Sequence, residues 1–285
     1  MATLAEIRRR IASLRNTQQI TKAMEAVAAS KLRRAQARAL GARPYAERMS
    51  EVLSEVASRV SGFRHPFLET RPVQARLLIL ITADRGLAGG LNVNAQRVAL
   101  QYLQGGARGS LVSLGRRGRD FFRRLQVHIV ADTSQLGDRP DLKDILPSVT
   151  AAIDEYLAGR ADEVALAYTR FHSVSRQQPL VVPLIPVRLP ERREGPRVDY
   201  LYEPDPETVL TALLPRYVEA QVYAALLDNL ASEQAARMVA MRNATDNAGE
   251  LIDDLTLLRN KVRQATITKE LSEIVGGAEA LTGGR

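Results

Sequence analysis

Apolar positions recur along the first sixty residues at helical spacing. Leu4, Ile7, Ile11 and Leu14 step by three and four, a polar interval follows at Thr17–Gln19, and the stripe resumes at Ile20, Met24, Val27 and, less regularly, Leu32. Arg8, Arg9, Arg10 and Arg15 fall away from its centre, as on a helix with one narrow apolar seam. Between Leu4 and Val60 the only glycine is Gly41 and the only proline Pro44; that stretch marks either a bend or an interruption. Roughly 55 helical residues span about 80 Å. A helix so long and so thinly apolar cannot bury itself and calls for a partner helix.

The same period returns from Asp205 to Leu281, with Pro215 as the single proline beyond Pro206 at its start. Met238, Met241, Thr245, Ala248, Ile252, Leu255, Leu258, Val262 and Ala265 form a heptad-like seam with small residues mixed in, so the paired helices are expected to approach closely. With a compact domain between them, an antiparallel hairpin of the two chain ends is the economical arrangement. The alternative is two separate amphipathic helices on a globular core; seams this narrow suit that arrangement less well.

The middle of the chain has another texture. Ala75–Thr82 reads as a buried strand, followed by the loop Asp84–Asn92 and a helix over Val93–Gln104. Ser110–Leu114 and Val127–Val130 are short strand candidates flanking the basic helical segment Arg116–Leu125. Leu142–Ala158 is helical in period, and Glu163–Phe171 alternates as a strand. Leu180–Leu189 is apolar but broken by Pro183 and Pro186, which places it at a sheet edge. Strands alternating with helices predict an α/β domain with a largely parallel sheet. The expected organisation is an N-terminal helix over 1–60, an α/β domain over 70–200 and a C-terminal helix over 205–285 that pairs with the first.

Charge changes this picture only after it is mapped. The 285 residues carry a formal net charge of +8, which raises a nucleic-acid reading. Residues 1–60 hold 12 Lys and Arg against 5 Asp and Glu, whereas residues 205–285 hold 8 against 12. The two arms therefore attract each other. Aromatic interleaving is absent from the basic arm, so nucleic-acid binding is not expected. The basic, amphipathic start mimics a mitochondrial presequence, but Glu6 is acidic and the helical period runs on, so it reads as mature sequence of a bacterial-type cytoplasmic chain. The longest pure aliphatic run, Leu77–Ile81, is far short of the roughly 20 residues of a membrane helix.

Candidate chemistry is sparse. There is no cysteine, which excludes disulfides, thiolate zinc sites and cysteine catalysis. His65, His128 and His172 lie in different predicted elements, without the spacing of a metal face. Asp253 and Asp254 are adjacent on a helix and face different directions. The glycine-rich turn Asp84–Asn92 between a strand and a helix is where backbone N–H groups could cradle phosphate. Its spacing is neither GxGxxG nor a P-loop, and the other use of such glycines is a tight turn. A nucleotide-binding enzyme built on this loop is the second reading.

Longer motifs point elsewhere. Ile20–Lys31 (ITKAMEAVAASK), Arg43–Ala46 and the loop Thr82–Asn94 resemble the gamma subunit of F-type ATP synthases. So do Ser232–Met241 (SEQAARMVAM), Ala244–Asn247, Arg263–Leu271 and Glu273–Gly277. The resemblance covers essentially the whole chain, most weakly over 105–200. It implies an antiparallel two-stranded coiled coil of the terminal helices with a central Rossmann-like α/β domain. It also implies a non-catalytic, cofactor-free rotor shaft, one copy per proton-translocating complex. Its partners would be the alpha and beta subunits of the head, the epsilon subunit and the c-subunit ring. The chain would lie peripherally at the cytoplasmic face of the bacterial membrane, without inserting into it.

Site residues follow from the same resemblance. Lys22 and Met24 match the helix stretch that passes an acidic loop of a beta subunit; Arg263, Gln264 and Thr268 match the segment that hydrogen-bonds that loop. Tyr200, Leu201, Tyr202 and Glu203 match the segment facing the c ring and epsilon. Ala88 stands where many relatives carry a cysteine, and the cysteine-bearing regulatory insertion of chloroplast relatives is missing, so no thiol switch is expected.

Overall fold

The computed structural model describes residues 3–60, 64–188 and 203–282. They form two compact units, one of Met1–Val27 with Val239–Arg285 and one of Ala28–Met238. Two long helices contribute to both: α1 at Leu4–Arg59 and the C-terminal helix, α5, at Pro206–Thr282. Gly41 and Pro44 do not break α1. A proline inside a helix costs roughly 3 kcal/mol, and here the flanking turns offset it, because Ala39, Leu53 and Val56 are buried in the larger unit. Pro215 is held within α5 in the same way, between the buried Leu214 and Val218. The start of α5 is capped by Asp205, whose carboxylate accepts from the Thr208 N–H and hydroxyl, both at 2.8 Å.

The larger unit is built on a five-stranded sheet of order β3-β2-β1-β4-β5. The strands are β1 Ala75–Ile81, β2 Arg108–Leu114, β3 His128–Thr133, β4 Glu163–Phe171 and β5 Gln177–Ile185. The first four are mutually parallel where they pair, and β5 runs antiparallel to β4 at the edge. An edge strand tolerates Pro179 and Pro183, since the missing N–H donors take nothing from a central ladder. β3 extends beyond the expected Val127–Val130, because pairing with β2 continues through Ala131↔Val112 to Thr133↔Leu114 after a register shift.

Period-two alternation in β1 divides the core. Leu77, Ile79 and Ile81 face one layer with Ile145, Val149 and Tyr156 of α4 (Leu142–Leu157), together with Leu53 of α1 and Leu210, Leu214 and Val218 of α5. Leu78 and Leu80 face the other, with Ala99 and Leu103 of α2 (Leu91–Leu103) and Phe122 of α3 (Arg116–Arg124). Both faces of the sheet are thus covered at its centre, which is why β1 reads as a continuous aliphatic run.

Asp162 starts β4 by accepting the Gln74 and Ala75 N–H groups on one oxygen, both at 2.8 Å. These two bonds hold its carboxyl below the ordinary aspartate range. A depressed folded-state value stabilises the fold above the unfolded pKa and loses that contribution as pH falls through the folded value. Asp162→Ala is expected to lower stability by about 1 kcal/mol at neutral pH, and the gap to wild type should close on acidification. Urea unfolding at pH 7 and pH 3 checks this; a pH-independent gap would contradict it.

The smaller unit is an antiparallel helix pair. Ile7 and Ile11 pack on Ile252, flanked by Leu14, Leu255 and Val262. The seam does not pause and resume as the apolar pattern suggests. It continues through Gln18, Thr21 and Glu25, each with a partner across it. Gln18 Nε2 donates to the Thr245 carbonyl at 3.4 Å, the Thr21 and Thr245 hydroxyls meet at 2.7 Å, and Arg242 Nε donates to Glu25 at 3.0 Å. Positions 7, 11, 14, 18, 21 and 25 keep an unbroken alternation of fours and threes, the coiled-coil repeat. Ile20 and Val27 are consequently turned outward, 61% and 54% exposed, and Leu258 on α5 is 43% exposed. A pattern that counts only apolar residues slips off the seam where hydrogen-bonded polar pairs occupy it.

Candidate interaction surface

Beyond the helix pair, residues 263–276 of α5 have no cover among the described residues. Arg263, Gln264 and Thr268 are exposed, and Ile267, Leu271, Ile274 and Val275 stand 47–68% exposed. Gln264, Ile267, Thr268, Leu271 and Val275 recur at three- and four-residue steps, so they share one helix face. A stripe of large aliphatic side chains interrupted by two hydrogen-bonding groups and bordered by a guanidinium has the composition of a protein-binding surface.

The expected contact residues on α1 lie at another level. Lys22 is exposed and Met24 half-buried, beside the turn of α5 where Thr21 meets Thr245. From Thr245 to Arg263 is about 27 Å of helix at ~1.5 Å per residue. Lys22 and Met24 therefore form one patch, and Arg263, Gln264 and Thr268 another. Glu203 is exposed just ahead of α5, whereas Tyr200, Leu201 and Tyr202 lie outside the described residues.

The glycine-rich loop is tied to its own flanks. Asp84 accepts the Arg116 N–H at 2.9 Å, Asn92 Oδ1 accepts the Ala83 N–H at 3.0 Å, and the Leu91 N–H bonds to the Ala88 carbonyl. In open α/β sheets ligands enter at the carboxyl ends of the strands, where strand order reverses. In this order that point lies between β1 and β4, and α5 occupies it. Asn229 Oδ1 accepts the Thr169 N–H at 3.1 Å, Ser232 Oγ donates to the Thr169 carbonyl at 3.0 Å, and Arg237 Nη2 reaches the Gly86 carbonyl at 3.4 Å. The glycine turn thus serves helix docking.

Glu233 and Arg237 form a 2.6 Å ion pair in this wedge, with side chains only 10% and 12% exposed. Burial pushes the Glu233 carboxyl up, against the opposing pull of Arg237 and with help from Asp84 and Asp138. These anchoring roles were not assigned from sequence, although the signal was there: polar residues 229, 232, 233 and 237 recur at helical spacing among buried alanines. Among the described residues no group of three or more His, Asp or Glu side chains could hold a metal ion. No described helix is long and apolar enough to cross a membrane.

A helix pair whose longer member runs on exposed over residues 263–276, with an α/β unit whose strand-end crevice is filled by its own chain, defines a subunit built to work within an assembly. Residues 3–281 match the family model described as ATP synthase. The chain is 48% identical to the ATP synthase gamma chain of Dehalococcoides mccartyi strain CBDB1, over 99% of this chain and all of that one. It is 49% identical to that of Moorella thermoacetica over the same shares. Among solved structures it is similar to a chain of the Euglena gracilis mitochondrial ATP synthase, with TM-score 0.70 and 20% identity over 99% and 95% of the two chains. It is also similar to one from the Tetrahymena thermophila mitochondrial ATP synthase central stalk and c ring, with TM-score 0.56 and 27% identity over 79% and 99%. The chain belongs to the ATP synthase gamma chain family in its bacterial F-type form, a non-catalytic subunit that is the central shaft of the rotary enzyme.

Proposed function

We propose that the uncovered end of α5 turns inside the hexameric head, with Arg263, Gln264 and Thr268 bonding an acidic loop of a catalytic beta subunit and Ile267, Leu271, Ile274 and Val275 sliding against apolar surface. The observation that carries this is the continuous exposure of residues 263–276 on a helix whose preceding turns are paired. A guanidinium offers carboxylate a planar fork of donors, and a contact at full exposure forms and breaks at little cost. Lys22 and Met24, a few turns away, meet a different segment of the head, since one loop does not span both levels. An asymmetric shaft bears unequally on otherwise equivalent catalytic subunits and so biases each toward a different conformation. Glu203 and the preceding Tyr200, Leu201 and Tyr202 are assigned to the c ring and epsilon. Proton flow through the ring drives rotation, and the subunit sits peripherally at the cytoplasmic face of the membrane.

Reconstitution with alpha and beta subunits tests the reading: failure to assemble an ATPase would sink it. Arg263→Ala is expected to lower the ATPase rate or torque of the assembled complex several-fold, about 1 kcal/mol in the contact, while its unfolding midpoint stays put. Unchanged activity would show that contact to be dispensable. Titration of the isolated chain with ATP and Mg²⁺ should give no binding at the Asp84–Asn92 loop.

A further inference from the structure

A cavity of about 250 Å³ lies in the larger unit between α1, the loop before α4 and α5. Lys31, Arg34 and Arg38 line it from α1, Asp138 and Arg139 from the loop, and Gln234 from α5. Residues 31, 34 and 38 follow three- and four-residue steps, which brings three cations onto one helix face where they repel one another. Only part of that charge is answered. Lys31 Nζ pairs with Asp138 Oδ2 at 2.7 Å, and Arg38 donates to the Asp138 carbonyl at 3.2 Å. Arg34 and Arg139 have no ion pair among the described residues. Four cations and one carboxylate around a small cavity make an anion site by charge alone.

Gln234 narrows the identity of the anion. It is 5% exposed, and its Oε1 is buried without a hydrogen-bond partner. A buried acceptor left unmet is destabilising, so the group that fits here brings a donor as well as negative charge. The Asp138 carboxylate adds a second acceptor and disfavours a fully deprotonated anion. Hydrogen phosphate meets both demands: its charged oxygens take the guanidinium donors and its P–OH donates to Gln234. Sulfate at neutral pH has no proton to give. The volume lies below the ~300–1,000 Å³ of usual small-molecule pockets, too small for a nucleotide with its base and sugar. We propose that this cavity is a binding site for inorganic phosphate, recognised in its protonated form by Arg34, Arg38 and Arg139 together with the Gln234 carbonyl. The proposal stands apart from the shaft role and does not depend on it.

Calorimetric titration of the full-length chain at constant ionic strength, with phosphate, sulfate or ATP in separate arms, tests it. Phosphate should bind saturably at millimolar concentration or below, about tenfold or more tighter than sulfate. Arg34→Ala, at an exposed position, should weaken phosphate about tenfold without altering the helical circular dichroism. Gln234→Leu should remove the preference for phosphate over sulfate. Equal affinity for the two anions in the wild type would overturn the proposal. So would the absence of saturable phosphate binding, phosphate affinity indifferent to Arg34→Ala, or ATP binding that Arg34→Ala abolishes while phosphate fails to bind.

Discussion

Gly115→Ala is expected to abolish accumulation of soluble, folded chain. Gly115 joins β2 to α3 at φ +111°, a backbone state that side chains rarely adopt, and a Cβ there would overlap the Thr82 carbonyl oxygen and stand 2.8 Å from its carbon. Thr82 cannot yield, because its N–H bonds to the Leu114 carbonyl and its hydroxyl accepts the Gly118 N–H at 2.8 Å. Moving Gly115 instead breaks its own bond to Thr133. A backbone clash on top of a strained φ belongs with the rare substitutions costing about 4 kcal/mol or more, a large share of the ~5–15 kcal/mol that holds a domain together. Gly137→Ala is the control. Its φ is +70° but nothing lies within 4 Å of the added methyl, so the cost should stay near 1–2 kcal/mol. Soluble yield and urea midpoints read both, and equal losses would overturn the steric argument.

Arg237→Ala should destabilise the larger unit by about 3–5 kcal/mol, because it strands the Glu233 carboxylate in a site that excludes water. Replacing both partners, as Glu233→Gln with Arg237→Met, should recover most of the loss, since a buried ion pair is often matched by neutral side chains of similar volume. Glu233 also sets a pH dependence. Its folded value is raised by burial, so it binds its proton more tightly folded than unfolded. Its contribution is fully present below the ordinary glutamate range and is lost as pH rises through the folded value. Glu233→Gln should remove that downward slope from a plot of unfolding free energy against pH. A midpoint for Arg237→Ala within about 0.5 kcal/mol of wild type would mean the pair is not the anchor of α5.

Much of the architecture was legible. The aliphatic run Leu77–Ile81 and the alternation of Glu163–Phe171 marked two central strands, because both faces of the sheet are covered and the pattern has only one way to be buried. The prolines of Leu180–Leu189 marked the edge, since only there is a missing N–H tolerated. The seam of the helix pair was read in part. Ile7, Ile11 and Ile252 were recovered because they are apolar and buried; Thr21 and Glu25 were not, because their place in the seam depends on Thr245 and Arg242 across it.

The sequence by itself determined the element types, the parallel sheet and the pairing of the chain ends, since these follow from local periodicity and from charge summed along each arm. It also carried, through motifs at both ends, the family to which the chain belongs. Only the tertiary structure decided that α5 wedges shut the crevice of the α/β unit. It alone separated the Lys22–Met24 patch from the Arg263–Thr268 patch and brought Lys31, Arg34 and Arg38 to one cavity with Arg139 and Gln234. Those outcomes rest on hydrogen bonds and charges between residues far apart in the chain, and no local period encodes which distant partner a polar side chain will meet.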